Sequence, residues 1–396
     1  MTELLTVEEA LALVLRSARP LSSELVPVGL ANGRVLADAA RATVDLPPFP
    51  SSAMDGFAVR AEDTPGRLPL AFRVAAGSPA DRALPTGEAA GIATGAALPD
   101  DADAVVPIEH VTEAGGYVEI PEPVEAGAHV RPRGGDVREG DVVVPEGMRL
   151  GTVQIGALAA AGVAEPVCSV RPRVAVLATG SELRPPGAPL GPGQIFESNR
   201  AMLAAALSSA ADVELLPVVA DDRDAHRRAL AEGLDADVLV TSGGVSVGPH
   251  DLVRSILSDL GVEEVFWGVA VKPGKPLSFG TKADTLVFGL PGNPVSSLVG
   301  AVLFVVPALL ARQGAADPGP RFEAAHLAAG LRQNAQRDEF VRARRRLDGV
   351  EVVLEPVTGQ ESHMIVHAAS ADALVHVPRG TGELSPGDTV RYLALA

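Results

Sequence analysis

Lys272, Lys275 and Lys282 are the only lysines among 33 basic residues, and two of them share one five-residue unit, Lys272-Pro273-Gly274-Lys275-Pro276. An ammonium is a compact point charge, whereas a guanidinium is a planar fork. A chain that otherwise uses arginine but keeps ammonium groups beside a glycine and two rigid prolines suits contact with an oxyanion. Two solvated turn lysines would leave the same trace, so the unit alone does not decide.

Three further segments carry the chemistry of a phosphate site: Thr179-Gly180-Ser181-Glu182, then Thr241-Ser242-Gly243-Gly244-Val245-Ser246-Val247-Gly248, then Gly289-Leu290-Pro291-Gly292-Asn293-Pro294. Each follows an apolar run. Glycines let backbone N–H groups approach an anion, and a following helix N-terminus adds partial positive charge. Carboxylates recur beside them, at Glu182, Asp221, Asp222 and Asp251. Acidic groups next to a phosphate site suit Mg²⁺, which takes oxygen ligands; taken singly, Asp222 and Asp251 read equally as acids favoured by a helix N-terminus. Upstream, Asp55 before Gly56, Thr94 before Gly95, and Arg131-Pro132-Arg133-Gly134-Gly135-Asp136 offer carboxylates and anion-binding forks, against the plainer reading of charged turns. The run Arg342 to Arg346 reads as a solvated strand face. His363 and His367 fall in a stretch expected to be strand and read as structural, and no Ser-His-Asp order is visible.

These residues need a scaffold, and the hydrophobic pattern supplies one. Thr6 with Glu9 three positions later is a capping box, predicting a first helix over 6–18. From 45 to 145 short alternating runs such as Phe72-Arg73-Val74 and Tyr117-Val118-Glu119-Ile120, broken by Gly and Pro, predict a β-rich unit. Helix is expected again over 151–163, packed on the first, so the β-rich unit reads as an insertion. Beyond Arg171 uniformly apolar strands (174–177, 238–240, 286–288) alternate with helices near 199–210, 224–233, 251–260 and 294–312, the pattern of a mostly parallel, doubly wound sheet covered on both faces. The carboxyl ends of such strands converge on one crevice. Hairpin-like runs close the chain. The expected division is 1–44 with 146–170 as a helical dimerisation segment, 45–145 as the inserted β-rich domain, 171–316 as the α/β domain and 317–396 as a small β-barrel-like domain.

Composition narrows the function. A formal charge of −17 argues against nucleic acid or an anionic membrane as partner, since phosphate neutralisation needs a broad basic surface. Cys168 is the only cysteine, which leaves no intrachain disulfide or Cys-rich metal site and fits a reducing cytoplasm. Glu3, Glu8 and Glu9 stand where a signal peptide would be basic. The apolar stretch 295–311 contains Ser296, Ser297 and Pro307 and reads as a buried helix rather than a membrane span.

Four segments, in order, resemble the molybdopterin molybdenumtransferase family, the MoeA type also fused into gephyrin-like proteins. They are Pro47-Pro48-Phe49 with Ser52-Ala53-Met54-Asp55-Gly56-Phe57-Ala58, Ser242 through Asp251, Lys272 through Pro276, and Leu290-Pro291-Gly292-Asn293-Pro294. The resemblance spans the chain. It implies insertion of molybdenum from molybdate into adenylylated molybdopterin with release of AMP, supported by Mg²⁺, in a cytoplasmic homodimer that meets the adenylyltransferase of the preceding step. Position by position it places catalytic roles on Asp55, Asp136, Asp221, Asp251, Lys272 and Lys275. It places ligand contacts on Thr94, Arg131, Glu182, Ser242, Gly243, Gly244, Ser246, Pro291, Gly292, Asn293, Pro294 and Ser362. Metal contacts fall on Asp55, Glu182, Asp221 and Asp251. Gly268 stands where some relatives carry another lysine, Pro132 and Gly135 depart from a more charged form, and Asp372 replaces a common Asn. Two alternatives compete: a molybdopterin adenylyltransferase, which has a similar Ser-Gly-Gly loop but often a single domain, and a gephyrin-like scaffold.

Overall fold

Residues 4–244 and 252–395 are described by a computed structural model of the chain, and Ser246 and Asp251 lie outside them. The apolar runs beyond Arg171 alternate between two cores. Val174, Val176, Val238, Val240, Leu286 and Phe288 enter one, whereas Ala175, Leu177, Leu239 and Val287 enter the other. A strand buried on both faces needs no polar alternation, which is why these runs are apolar throughout.

The first helix, α1 (Val7–Ser17), starts at a Thr6–Glu9 capping box with both reciprocal hydrogen bonds present. Helix α2 (Thr152–Ala160) follows the β-rich unit. In the α/β domain come β1 (Arg173–Ala178), α3 (Asn199–Leu207), β2 (Asp212–Leu215), α4 (Arg223–Gly233), β3 (Val238–Ser242), α5 (Leu252–Asp259), β4 (Glu263–Trp267), β5 (Ser278–Lys282), β6 (Thr285–Leu290) and α6, which opens at Pro294–Gly300. The sheet order is β2-β1-β3-β6-β5-β4; the first four strands are parallel and the last two form an antiparallel extension. Helix α6 runs on through a π-helical stretch, Ala301–Val305, and Val306–Arg312. Pro307 lacks the N–H that would bond four residues back, and the widened turn just before it relieves the ring's clash there. This is the one described helix long and apolar enough to span a membrane, and 67% of its apolar window is buried in the protein.

The two helices expected to pack together do not. Val7, Ala10 and Val14 of α1 share a core with Leu303, Phe304 and Leu309 of the α6 rod. Leu158 of α2 lies instead with Val26, Leu36, Val144 and Cys168, beside two short ribbons that pair Ser23–Leu25 with Val167–Ser169 and Ala40–Arg41 with Val142–Val144. The inserted unit is a curled six-stranded sheet with a core on each face, Phe57 and Val59 entering one and Ala58 the other. The last domain is a closed barrel of five strands, Glu323–Leu327, Asp338–Asp348, Glu351–Pro356, Ala373–Val377 and Thr389–Ala394; the second closes the ring on the fourth. Leu374, Phe340 and Leu393 face outward from it into the core shared with α1 and the α/β sheet.

At that seam His376 is buried and stacks on Phe340 at 5.2 Å between ring centroids. Arg391 Nη2 lies 3.2 Å from its Nδ1, and Asp338 Oδ1 is 3.7 Å from its Nε2. Arginine can only donate, so Nδ1 accepts and the ring is neutral. Burial, the leading cause, pushes its pKa below the ordinary 6.5; Asp338 opposes this, Arg391 adds to it, and Glu8 of α1 opposes. A histidine with a lowered folded pKa binds a proton more readily when unfolded. Its contribution is therefore present above pH 6.5 and is lost as pH falls through that value toward the folded pKa. Denaturant midpoints measured across this window should fall with acidification, and His376→Gln should show a shallower fall.

Candidate functional site

Strands β1, β3 and β6 end level. Ala178 pairs with Ser242 and Ser242 with Leu290, so the loops starting at Thr179, Gly243 and Pro291 leave the sheet side by side. Backbone bonds tie their roots, Thr179 N–H to Ser242 O at 3.2 Å and Gly243 N–H to Leu290 O at 3.0 Å. Gly243 and Gly244 have φ of +95° and +65°, and a Cβ on either would meet Thr179 O at 2.9 Å or Val253 Cγ2 at 2.5 Å. No other residue fits the loop as built.

The loops wall a cleft of about 570 Å³, lined among others by Glu182, Ser242, Gly244, Gly292, Asn293 and His363. Pro291 and Pro294 line it too. Ser362 reaches in from the barrel domain: its Oγ accepts from Asn293 Nδ2 at 2.8 Å, and its carbonyl accepts from Val295 N–H at 3.1 Å. Two side chains that the sequence did not mark hold the cleft together. Buried Asn199, at the start of α3, donates to Ser242 Oγ at 2.8 Å and Gly292 O at 2.7 Å. Ser297 Oγ donates to Pro291 O at 2.5 Å. The one available signal was the polar triplet Glu197-Ser198-Asn199 opening an otherwise Ala- and Leu-rich helix.

Asp221 joins the cleft's rim by a reciprocal tie. Ser181 N–H donates to Asp221 Oδ2 at 3.2 Å, and Asp221 N–H donates to Ser181 Oγ at 2.9 Å. This sets its carboxylate one residue from Glu182, whose own carboxylate lies over Gly180, 2.5 Å from where a Cβ would be. Neighbouring Asp222 caps α4 through Ala225 N–H at 2.7 Å. No group of three His, Cys, Asp or Glu side chains poised for a metal occurs among the described residues. Glu182 and Asp221 are nonetheless both oxygen donors and both exposed, the donor set with which Mg²⁺ is held by one or two carboxylates plus substrate phosphates.

Asp55, Thr94, Arg131 and Asp136 gather elsewhere, on the inserted domain. Thr94 N–H donates to Asp55 Oδ1 at 2.8 Å. Ser51 pairs with Arg131, and Asp136 follows in a turn held by Leu46 O at 2.9 Å. Gly56 is obligatory, because a Cβ would sit 2.0 Å from Val106 O. In the neighbouring turn Asp45 is held below the usual carboxylate range by Glu139 N–H first and by Arg133 second, so Arg133 is engaged within the fold. None of these four lines the α/β cleft.

Lys272 is paired, its Nζ 2.5 Å from Glu339 Oε1 of the barrel, while Lys275 is exposed. Gly268 has φ +88°, where a lysine would be strained. Asp372 uses its carboxylate on Arg345, accepting its N–H at 2.7 Å. His363 and His367 are not on a strand: the first stands in the turn lining the cleft and the second in a short helix, Ile365–Ala368. Arg342 is not on a solvated face but buried.

Residues 5–162 match the MoeA N-terminal region (domain I and II), 175–311 the probable molybdopterin binding domain, and 324–395 the MoeA C-terminal region (domain IV). The chain is 38% identical over 396 residues to molybdopterin molybdenumtransferase 2 of Mycobacterium tuberculosis, covering 96% of each. It is 34% identical to molybdopterin molybdenumtransferase of Haemophilus influenzae, covering 98% of each. Among solved structures, a molybdopterin biosynthesis MoeA protein of Pyrococcus horikoshii superposes with a TM-score of 0.86 at 28% identity, covering 99% of this chain and 100% of that one.

Proposed function

Since the chain belongs to the MoeA family of molybdopterin molybdenumtransferases, we propose that it inserts molybdenum from molybdate into adenylylated molybdopterin, releasing AMP, in molybdenum cofactor biosynthesis. The observation that carries this reading is the level convergence of three glycine-bearing loops on one cleft, closed by Ser362 from the barrel.

The cleft would take the pterin nucleotide, with loop N–H groups and the start of α6 facing its phosphates. Lys272 and Lys275 would attract molybdate. Glu182 and Asp221 would hold Mg²⁺, with Asp251 and the partner subunit's Asp55 as further donors; when bound, the cation polarises the phosphoanhydride. Ser242, Gly243 and Gly244 shape the floor, Asn199 keeps Ser242 and Gly292 in place, and Ser246 would be a further contact. The two dithiolene thiols would bind the metal as one molybdate oxygen leaves as water carrying their protons, and a water attacking the phosphoanhydride would split it into AMP and the molybdopterin phosphate. No protein nucleophile is required, so positioning and charge carry the catalysis.

Asp55, Thr94, Arg131 and Asp136 would serve the cleft of a second copy. Exposed Leu25 and Leu30 beside the short ribbons and Val153 of α2, at 63%, 75% and 78%, are the apolar surface such a homodimer would cover. The cytoplasm and the adenylyltransferase of the preceding step complete this setting.

Purified protein supplied with adenylylated molybdopterin and Mg²⁺ should release AMP only when molybdate is added, and Lys272→Ala should lose most of that dependence. Active substrate with no molybdate-stimulated AMP would sink the reading.

A further inference from the structure

Lys272 does not stand free. The two-residue strand Val271–Lys272 runs parallel to Asp338–Glu339 of the barrel, with Lys272 directly opposite Glu339, and Asp338 N–H donates to Ala270 O at 2.9 Å. The Lys272 side chain is half exposed, 47%, but that of its partner Glu339 is only 17% exposed. Both face a polar cavity of about 520 Å³ whose wall also carries Arg332, Asn334, Thr381 and Glu383. Arg332 and Glu383 are themselves strand partners. The wall therefore presents two positive and two negative groups, and no net charge.

We propose that Glu339 is a positioning residue that sets the affinity of the site for its oxyanion by holding and neutralising Lys272. This rests on the reading of Lys272 as a molybdate contact. A dianion entering the cavity must either displace the carboxylate from the ammonium or bind beside it. In the first case it competes with Glu339 for one cation; in the second it meets a like charge a few ångströms away. Removing the carboxylate charge favours the anion either way. Lys275, exposed and without an ion pair among the described residues, attracts the anion without this competition. Tighter binding of the ground state and the transition state alike lowers KM and leaves kcat alone.

Glu339→Gln keeps the side chain's shape and an oxygen acceptor, so the strand pairing is preserved while the charge is lost. Its KM for molybdate, and its Kd for molybdate alone by calorimetry, should fall roughly two- to fivefold, the range of a half-exposed ion pair. The kcat should be unchanged, and the difference from the parent should shrink at high salt. Glu339→Asp, which restores the charge, should return toward the parent values. An unchanged or raised Kd in a folded Glu339→Gln overturns the inference while leaving the transferase reading intact. If the parent neither binds molybdate nor releases AMP in response to it, both fail.

Discussion

Asp221→Asn is expected to lower molybdate-dependent AMP release on the order of a hundredfold at limiting Mg²⁺, equivalent to about 2.7 kcal/mol of barrier. The substitution keeps what the fold uses and removes what the chemistry uses. The Ser181 N–H still finds an oxygen at the Oδ2 position, and the Asp221 N–H still donates to Ser181 Oγ. The loops after β1 and β2 therefore stay joined, and since Asp221 is exposed, stability should move by no more than about 0.5 kcal/mol. What disappears is one negative charge beside Glu182, so Mg²⁺ binding measured directly should weaken in parallel, and added Mg²⁺ should recover part of the activity. The adjacent residue is the control. Asp222 caps α4, and Asn caps equally well, so Asp222→Asn should change neither quantity. An Asp221→Asn enzyme retaining more than half the parent's rate at limiting Mg²⁺ would take this carboxylate out of the metal site.

The contrast between these neighbouring aspartates shows what a single sequence can carry. Local signals were legible: the capping box at Thr6 and Glu9, and the doubly apolar strands that become a sheet covered on both faces. The three loops and their level exit were legible because a parallel sheet puts every strand's carboxyl end on one edge. Residues whose importance comes from tertiary neighbours were not. Asn199 looks like an ordinary helix start until β3 and the Pro-Gly-Asn loop are brought to its amide. Glu339 looks like one more strand-surface acid until Lys272 is laid opposite it. The packing of α1 on the α6 rod instead of α2 was equally hidden, since an amphipathic face says that something covers it and not what.

Arg342 is the strongest case of this kind, and its replacement should have a large effect on stability. Alternation along Asp338–Asp348 puts Arg342 on the same outward face of the barrel as Phe340, which a sequence reading assigns to water. The chain from 357 to 364 folds over that face instead, and Arg342 is 1% exposed. Its guanidinium donates to Gly359 O at 2.7 Å, Met364 O at 3.0 Å and Glu361 O at 3.2 Å, while Nε donates to Gln360 Oε1 at 3.3 Å. Gln360 in turn donates to Arg342 O at 2.8 Å. A planar fork can reach carbonyls on several sides; an ammonium cannot. Arg342→Met keeps the length and apolar bulk but leaves three part-buried carbonyls without that donor, at a cost of about 2 to 4 kcal/mol. Arg342→Lys should recover only part. The same segment carries Ser362 to Asn293 and Val295 and sets His363 against the cleft, so the loss should not be confined to stability. Protein still folded at low temperature should show a raised KM for the pterin nucleotide and little change in its KM for molybdate. Denaturant titration and steady-state kinetics on both variants check this, and an Arg342→Met protein within 1 kcal/mol of the parent with an unaltered pterin KM would mean that the segment is held by its own backbone turns and not by the arginine.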